Sequence, residues 1–248
     1  MSKTRHTFTR GADAEAISRA AAERIVDLAN ECVTARGRFS VALAGGSTPR
    51  RVYELLAGDD LSPLIDWTKV HVFFGDERCV PPDHADSNYR MASESLLARV
   101  TLPAENVHRM TGEGDAVANA RLYEEELRTF FDDADWPCFD LVLLGIGDDG
   151  HTASLFPGTA ALEERQAWVA ANWVEKFNSF RITLTAPAIN HAAHVLFLVT
   201  GAAKAATLAE VVAGPRDPHR LPSQLIQPAV GPVEWFVDDA AAARMPQS

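Results

Sequence analysis

The loop that follows the apolar run 139–144 carries the residues of this chain best suited to catalysis. It places Asp148, Asp149 and His151 among glycines, in the order GIGDDGH. A histidine can accept a proton near neutral pH, and a neighbouring carboxylate can fix its tautomer and stabilise its charged form. The preceding run is almost continuously apolar, which predicts a strand buried on both faces. The loop therefore follows the carboxyl end of a strand, where open parallel sheets bind ligands.

The glycines of this loop, Gly145, Gly147 and Gly150, also match the GxGxxG fingerprint of dinucleotide-binding folds. A pyrophosphate needs free amides at a helix start, and Asp148 and Asp149 would place negative charge beside it. No acidic residue stands about 20 positions further on to hold a ribose. The sequence therefore argues against a nucleotide cofactor.

A second glycine-rich loop follows the predicted strand at residues 39–43. Gly45 and Gly46 permit close approach to the backbone, and Thr48 is suited to the N-cap of a helix whose first residue is Pro49. Free amides and the hydroxyls of Ser47 and Thr48 would then form a phosphate site. The GK[ST] ending of a P-loop is missing. Taken alone, this segment is equally compatible with a tight, well-capped turn that binds nothing.

Charged residues stand at two further strand ends. The apolar run 70–74 is followed, after Gly75, by the charged residues Asp76, Glu77 and Arg78. Charged residues at a buried strand end usually face a cleft. The alternative is a solvated loop in which Arg78 pairs with a carboxylate. Arg181 precedes a β-prone segment. Lys204 stands at a predicted helix start, where a lysine opposes the helix dipole unless an anion is bound. The alternative for Lys204 is a surface lysine.

The chain as a whole alternates predicted strands and helices, which favours an α/β fold with a Rossmann-like, mostly parallel sheet and helices on both faces. Such a sheet would bring the four polar strand ends to one rim. We predict a single domain over residues 1–248. The predicted strands cover residues 39–43, 70–74, 139–144, 195–199 and 233–237, and the predicted helices 13–36, 49–56, 88–99, 116–131 and 204–212.

Composition excludes several classes of function. A net charge of −11 without any basic run argues against nucleic acid and anionic membranes as partners. Apolar stretches fall far short of about 18 residues, and the first residues lack an apolar signal core, so we expect a cytoplasmic protein without a signal peptide. The three cysteines are widely spaced, which indicates reduced thiols rather than disulfides or zinc.

Other catalytic arrangements find little support. His191 and His194 have a metal-like spacing but no third ligand nearby. No GxSxG elbow is present, and Cys79 and Cys138 have no neighbouring histidine. The remaining candidate is a histidine that acts on water or on a substrate proton.

Four blocks of the chain together resemble the 6-phosphogluconolactonase family. They occur in the family's order, and the resemblance covers about residues 39–236. The wider superfamily includes glucosamine-6-phosphate deaminase, which shares the GGSTP loop, the Asp-Glu pair, the DGH motif and the late lysine. The blocks are GGSTPRRVYELL, HVFFGDERCVPPDHADSNYRMA, FDLVLLGIGDDGHTASLFPGT, and RITLT followed by LVTGAAKA.

The resemblance implies hydrolysis of 6-phospho-D-glucono-1,5-lactone to 6-phosphogluconate, the second step of the oxidative pentose phosphate pathway. It implies His151 as the base that activates water, oriented by Asp149, with Arg78 as partner of the oxyanion and product carboxylate. Asp76 is the fourth expected catalytic residue. No metal or organic cofactor is implied, and we expect a monomer rather than an oligomer. The implied phosphate-binding residues are Gly45, Gly46, Ser47, Thr48, Arg181 and Lys204.

The sequence departs from the family at residues 176–180, where KFNSF replaces a proline-rich lead-in to Arg181. Two other positions distinguish lactonase from deaminase. The deaminase pattern has a tyrosine where this chain has Arg78 and a glutamate where it has Phe156, and ring-opening deamination needs that carboxylate for proton transfer. The alternatives are a sugar-phosphate deaminase or isomerase on the same fold and a non-catalytic sugar-phosphate sensor.

Overall fold

The computed structural model describes residues 6–246 of the chain. Its strands are β1 His6–Gly11, β2 Phe39–Leu43, β3 Val70–Phe74, β4 Asp76–Arg78, β5 Leu141–Leu144, β6 Val169–Val174, β7 Ser179–Leu184, β8 His194–Val199 and β9 Val233–Asp238. Its α-helices are α1 Ala14–Arg36, α2 Ser47–Leu56, α3 Asn88–Ser95, α4 Ala116–Phe130, α5 Ala186–Asn190, α6 Ala205–Ala213 and α7 Asp239–Ala242.

Six strands form one sheet in the order β1-β9-β8-β5-β2-β3, and every neighbouring pair is parallel. The predicted mostly parallel α/β sheet is thus confirmed. The chain runs outward from β2 to β3 and then returns across β2 to β5. The strand order therefore reverses between β2 and β5, which is the point where open α/β sheets bind ligands.

A second sheet of three antiparallel strands, in the order β4-β7-β6, was not predicted from the sequence. Gly75 alone separates β3 from β4. Its amide donates to the Leu43 carbonyl at the end of β2, at 2.9 Å, and its carbonyl accepts from the Leu184 amide at the end of β7, at 2.8 Å. Gly75 therefore joins the two sheets through the main chain.

The first helix shows how closely the sequence pattern fixes local structure. The Asp13 carboxylate caps α1 by accepting from the Ala16 amide at 2.8 Å, and Gly37 ends the helix with a φ of 76°. Ile17, Ala21 and other apolar residues on one side of α1 are fully buried. The predicted helix over residues 13–36 agrees with this, since Asp13 is its cap.

Three predicted elements were too long. The strand predicted over residues 139–144 begins at Leu141, because the Asp140 amide donates to the Ser40 hydroxyl at 3.0 Å instead of to a main-chain carbonyl of β2. The helix predicted over residues 88–99 ends at Ser95 and gives way to a 3-10 turn, Leu97–Arg99. The helix predicted over residues 116–131 ends one residue earlier, at Phe130.

In the described part of the chain, residues 6–246, no helix is long and apolar enough to cross a membrane. All three cysteines are free, as expected for reduced thiols.

Candidate active site

An open cleft of about 690 Å³ lies at the carboxyl ends of β2 and β5, where the strand order reverses. The main chain of both glycine-rich loops forms much of its wall. The side chains that line it include those of Asp76, Arg78, His151, Ala153 and Lys204.

The loop after β2 begins α2 two residues earlier than predicted. Gly46, with a φ of 107°, is the N-cap, so the predictions of Thr48 as N-cap and Pro49 as first helical residue were wrong. Glycine adopts this positive φ without steric cost, which lets the helix begin at Ser47. Pro49 becomes the third helical residue, where an amide would still have no partner within the helix. The Thr48 hydroxyl instead lies 2.7 Å from that of Thr200.

The same loop retains the features of an anion site. Within residues 6–246, the amides of Ser47 and Thr48 donate to no protein acceptor. Gly45 and Gly46 line the cleft directly. A side chain at position 45 would place its Cβ atom 2.0 Å from the Oδ1 atom of Asn88, so only glycine fits here. The loop thus presents free amides at a helix N-terminus, a common site for phosphate.

His151 and Asp149 form a hydrogen-bonded pair beside the cleft. The Nδ1 atom of His151 lies 2.5 Å from the Oδ1 atom of Asp149. Since an ionised carboxylate can only accept, Nδ1 carries the proton and Nε2 of the neutral ring has a free lone pair. The bond from His151 holds the pKa of Asp149 well below its usual range, and a second bond from Lys176 acts in the same direction. Asp149 is therefore ionised throughout the physiological pH range.

Gly147 makes this arrangement possible. A Cβ atom at this position would lie 1.9 Å from Nδ1 of His151 and 2.8 Å from Oδ1 of Asp149. The loop closes through a bond of 2.8 Å from the Gly147 amide to the His151 carbonyl. Any larger residue at position 147 would displace the imidazole from its carboxylate.

The buried ring of Phe156 stacks against the imidazole of His151. Their ring centroids are 4.0 Å apart and their planes are inclined by 25°. This is the position where the deaminase pattern has a glutamate. The histidine of this chain therefore stacks on an aromatic ring at the position where the deaminase pattern has a carboxylate.

Arg78 and Arg181 lie directly opposite each other in the β4–β7 ladder. Neither forms a salt bridge with any residue in the range 6–246. Arg78 donates to the Asp86 carbonyl at 2.6 Å, and Arg181 lies over the Phe177 ring at 5.1 Å. Burial, and then the charge of Arg78, lower the pKa of Arg181. Two neighbouring guanidinium groups without a carboxylate partner favour an anionic ligand.

Lys204 also lines the cleft, but its ammonium group is already paired with the carboxylate of Asp148. Asp148 is largely exposed, with 75% of its side chain accessible. Lys204 lies just before α6, so the helix predicted to start at this residue begins instead at Ala205.

Asp76 is buried at the cleft wall and held from two sides. Its Oδ2 atom accepts from the Ser154 hydroxyl at 2.6 Å, and its Oδ1 atom accepts from the Asn88 amide group at 3.3 Å. A buried carboxylate with this orientation can accept from hydroxyl groups of a sugar.

Glu77 has a different role from its neighbour. It turns away from the cleft and caps the start of α3, with four donors within 3.0 Å. These are the amides of Arg78, Asn88 and Tyr89 and the hydroxyl of Ser87. Burial nevertheless raises the pKa of Glu77. The carboxylate thus fixes the β4–α3 connection that positions Asp76 and Arg78.

We expect Glu77→Gln to destabilise the fold, because an amide nitrogen would face donors that the carboxylate now accepts. The expected loss is about 2–4 kcal/mol, the cost of leaving one or two buried donors unpaired. Thermal unfolding should show this as a fall in Tm of roughly 5–15 °C. Glu94→Gln, an exposed residue of α3, is the matched control and should change Tm little. Equal Tm values for both variants would contradict the capping role.

Sequence reasoning missed several residues around the cleft. Ala153 lines it in the left-handed region, with a φ of 46°, and nothing in an alanine signals such a conformation. Asn88 and Ser154 hold Asp76, and Lys176 holds Asp149, through contacts between residues distant in sequence. Of these residues, only Lys176 had a signal in the sequence, since it begins the segment KFNSF, where the chain departs from the family pattern.

Metal binding finds no support among residues 6–246, where no three His, Cys, Asp or Glu side chains are grouped closely enough to hold an ion. His191 and His194 have separate partners, the Pro187 carbonyl and Glu234 respectively.

Comparison with known proteins gives concordant results. The family model described as glucosamine-6-phosphate isomerases/6-phosphogluconolactonase matches residues 12–235. A 6-phosphogluconolactonase from Nostoc sp. is 47% identical over 213 residues, which cover 85% of this chain and 86% of that protein. The solved 6-phosphogluconolactonase from Trypanosoma cruzi superposes with a TM-score of 0.88 at 30% identity, and covers 99% of both chains.

A monomeric glucosamine-6-phosphate deaminase also superposes, with a TM-score of 0.81 over 96% of this chain and 99% of that chain. Its identity to this chain is only 20%, so the likeness concerns the fold alone.

Proposed function

The chain belongs to the family of glucosamine-6-phosphate isomerases and 6-phosphogluconolactonases, and we propose that His151, Asp149 and Arg78 carry out its chemistry as a lactonase. It is an enzyme that hydrolyses 6-phospho-D-glucono-1,5-lactone to 6-phosphogluconate. The observation that carries the assignment of roles is the pair of His151 and Asp149, which leaves Nε2 free to accept a proton. This pair lies beside the cleft that Arg78 also lines.

In the proposed reaction, Nε2 of His151 removes a proton from water as the water oxygen attacks the lactone carbonyl. Asp149 stabilises the resulting imidazolium, and Arg78 stabilises the oxyanion of the tetrahedral intermediate. The intermediate collapses with cleavage of the ring C–O bond. The imidazolium then protonates the departing alkoxide, which restores the neutral histidine. The carboxylic acid formed in the collapse loses its proton to solvent, and the carboxylate product remains near Arg78.

The phosphate of the substrate would bind to Arg181, Lys204 and the loop of residues 45–48. Arg181 has no carboxylate partner in the described chain, and Lys204 pairs only with an exposed one that an anion can displace. The free amides at the start of α2 add donors of the kind that bind phosphate. Asp76 would accept from a sugar hydroxyl.

Phe156 supports the choice of lactonase over deaminase. Deamination must open a ring, move a proton between carbons and protonate an amine, which requires several acid or base groups. Here the imidazole is stacked against an aromatic ring on the side where the deaminase pattern has its carboxylate. Lactone hydrolysis requires only one base and a partner for the oxyanion.

The sequence also supports expectations about domain organisation, partners and location. We expect one domain over residues 1–248, a cytoplasmic monomer, and no nucleic acid or membrane partner. The net charge of −11 supports the absence of polyanionic partners. We also expect catalysis without a metal or organic cofactor, because a lactone is an activated ester.

A pair of assays tests the function. The wild-type protein should hydrolyse freshly prepared phosphogluconolactone well above the spontaneous rate in a pH-stat, and should release no ammonia from glucosamine 6-phosphate. Ammonia release without lactonase activity would assign the chain to the deaminases. Binding of 6-phosphogluconate without turnover of either substrate would indicate a sensor.

A further inference from the structure

The turn between β6 and β7 contacts one member of the catalytic pair, Asp149, and the aromatic ring that stacks on the other, His151. From this turn, the ammonium group of Lys176 donates to Oδ2 of Asp149 at 3.1 Å. That is the carboxylate oxygen that His151 does not use, since His151 lies 2.5 Å from Oδ1. The ring of Phe177, the next residue, packs edge-on against that of Phe156, with 5.6 Å between their centroids. Phe156 in turn stacks on the imidazole of His151. One short turn therefore supports the carboxylate and the ring behind the histidine.

The turn itself is held in a defined geometry. The Asn178 amide donates to the Glu175 carbonyl at 3.0 Å, and Asn178 adopts the left-handed conformation with a φ of 46°. Asparagine tolerates this conformation better than most residues. Val174 and Ser179 on either side are paired in the β6–β7 ladder. The guanidinium carbon of Arg181 lies 5.1 Å from the centroid of the Phe177 ring.

We propose that Lys176 is a positioning residue that holds Asp149 against His151 and extends the activity of the histidine to lower pH. The inference rests on the proposed function, in which neutral His151 is the base. The negative charge of Asp149 favours the imidazolium, whereas the base must be neutral at the start of each turnover. By neutralising part of that charge, Lys176 favours the neutral imidazole while leaving the hydrogen bond to Asp149 in place.

The other charges near the imidazole come from separate elements and do not substitute for Lys176. Arg78 and Asp76 come from β4, and Lys204 is engaged by Asp148. Among the described residues, Lys176 is the one cation besides His151 that forms an ion pair with the Asp149 carboxylate.

The effect of Lys176 should appear in the pH dependence of catalysis rather than in stability. Its side chain is 60% exposed, and exposed ion pairs contribute little to folding. The Lys176 ammonium group and the His151 imidazolium contact the same carboxylate. They still influence each other, because the electrostatic interaction falls off only as the inverse of distance.

Lys176→Met is expected to move the acid limb of the kcat/KM profile to higher pH by about half a pH unit, since the imidazolium gains stability when Asp149 loses its cationic neighbour. Lys176→Arg should retain the wild-type profile. Lys69→Met is the matched control, because Lys69 is exposed and lies just before β3, at the end of the sheet opposite the cleft. All variants should unfold at the wild-type temperature.

An NMR titration of the imidazole gives a readout that does not depend on turnover. The His151 signals, assigned by their loss in His151→Asn, should titrate at higher pH in Lys176→Met than in the wild type. If the wild-type protein lacks lactonase activity, the proposed function is wrong, and the titration still tests the contact. Superimposable titrations and superimposable rate profiles for Lys176→Met and the wild type would overturn the inference.

Discussion

His151→Asn is expected to lower turnover of phosphogluconolactone by ~10²- to 10⁴-fold, the usual contribution of a general base. Asparagine keeps a polar group near Asp149 but cannot accept a proton from water. A pH-stat assay, corrected for spontaneous hydrolysis, would measure the loss of turnover. The fold should persist, because the side chain lies at a partly exposed cleft wall with 26% of its surface accessible.

His219→Asn is the matched control for this variant, since His219 is a surface residue with 71% of its side chain exposed. It should retain wild-type activity. If His151→Asn keeps activity within threefold of the wild type, His151 is not the base.

The wild-type rate should also fall toward acid pH, and the pH range of the fall distinguishes protonation of His151 from protonation of Asp149. A carboxyl whose pKa is depressed by folding stays ionised, and its contribution is lost only as pH falls through the folded-state value. Asp149 is such a group. Its charge therefore stays constant between pH 5 and 8, and protonation of the imidazole accounts for the loss of rate.

Arg181→Ala is expected to lower kcat/KM for phosphogluconolactone by ~30- to 1000-fold. Removal of a cation that is desolvated against an anion costs roughly 2–4 kcal/mol, and each 1.4 kcal/mol corresponds to a factor of ten. Steady-state kinetics over a range of substrate concentrations would measure the change.

Unphosphorylated gluconolactone supplies the control for Arg181. It should be a poor substrate of the wild-type enzyme, and Arg181→Ala should not lower its turnover further. Arg99→Ala, which removes an exposed arginine after α3, should affect neither lactone. An equal loss on both lactones would exclude Arg181 as a phosphate ligand.

The main sheet was largely predictable because its central strands are buried on both faces. Every residue of β2, β5 and the apolar part of β8 is buried, which produces the continuous apolar runs seen in the sequence. β1 was missed because its side chains are mostly exposed and polar. The small sheet was missed because β4 consists of three charged residues, and only its partner β7, about 100 positions later, makes it a strand.

The candidate site was predictable where glycine and charge occur together in a loop. The loops of residues 45–48 and 145–151 meet at one cleft, as the parallel sheet requires. The start of α2 was misplaced because Thr48 and Pro49 carry strong helix-start preferences, whereas the positive φ of Gly46 decides the outcome. The contact of Asp149 with Lys176 was not foreseen, because the KFNSF departure marks this segment as unusual but does not indicate the distant residue with which Lys176 pairs.

The junction at Gly75 sets the relative position of the groups that are proposed to act on the substrate. The proposed base follows a strand of the main sheet, whereas Arg78 and Arg181 belong to the small sheet. Because the main chain of Gly75 is hydrogen-bonded to Leu43 of the main sheet and to Leu184 of the small sheet, the position of β4 relative to the main sheet is fixed by the scaffold. On the proposed roles, groups of both sheets bind each end of the substrate, so this junction positions Arg78 relative to His151 and Arg181 relative to residues 45–48.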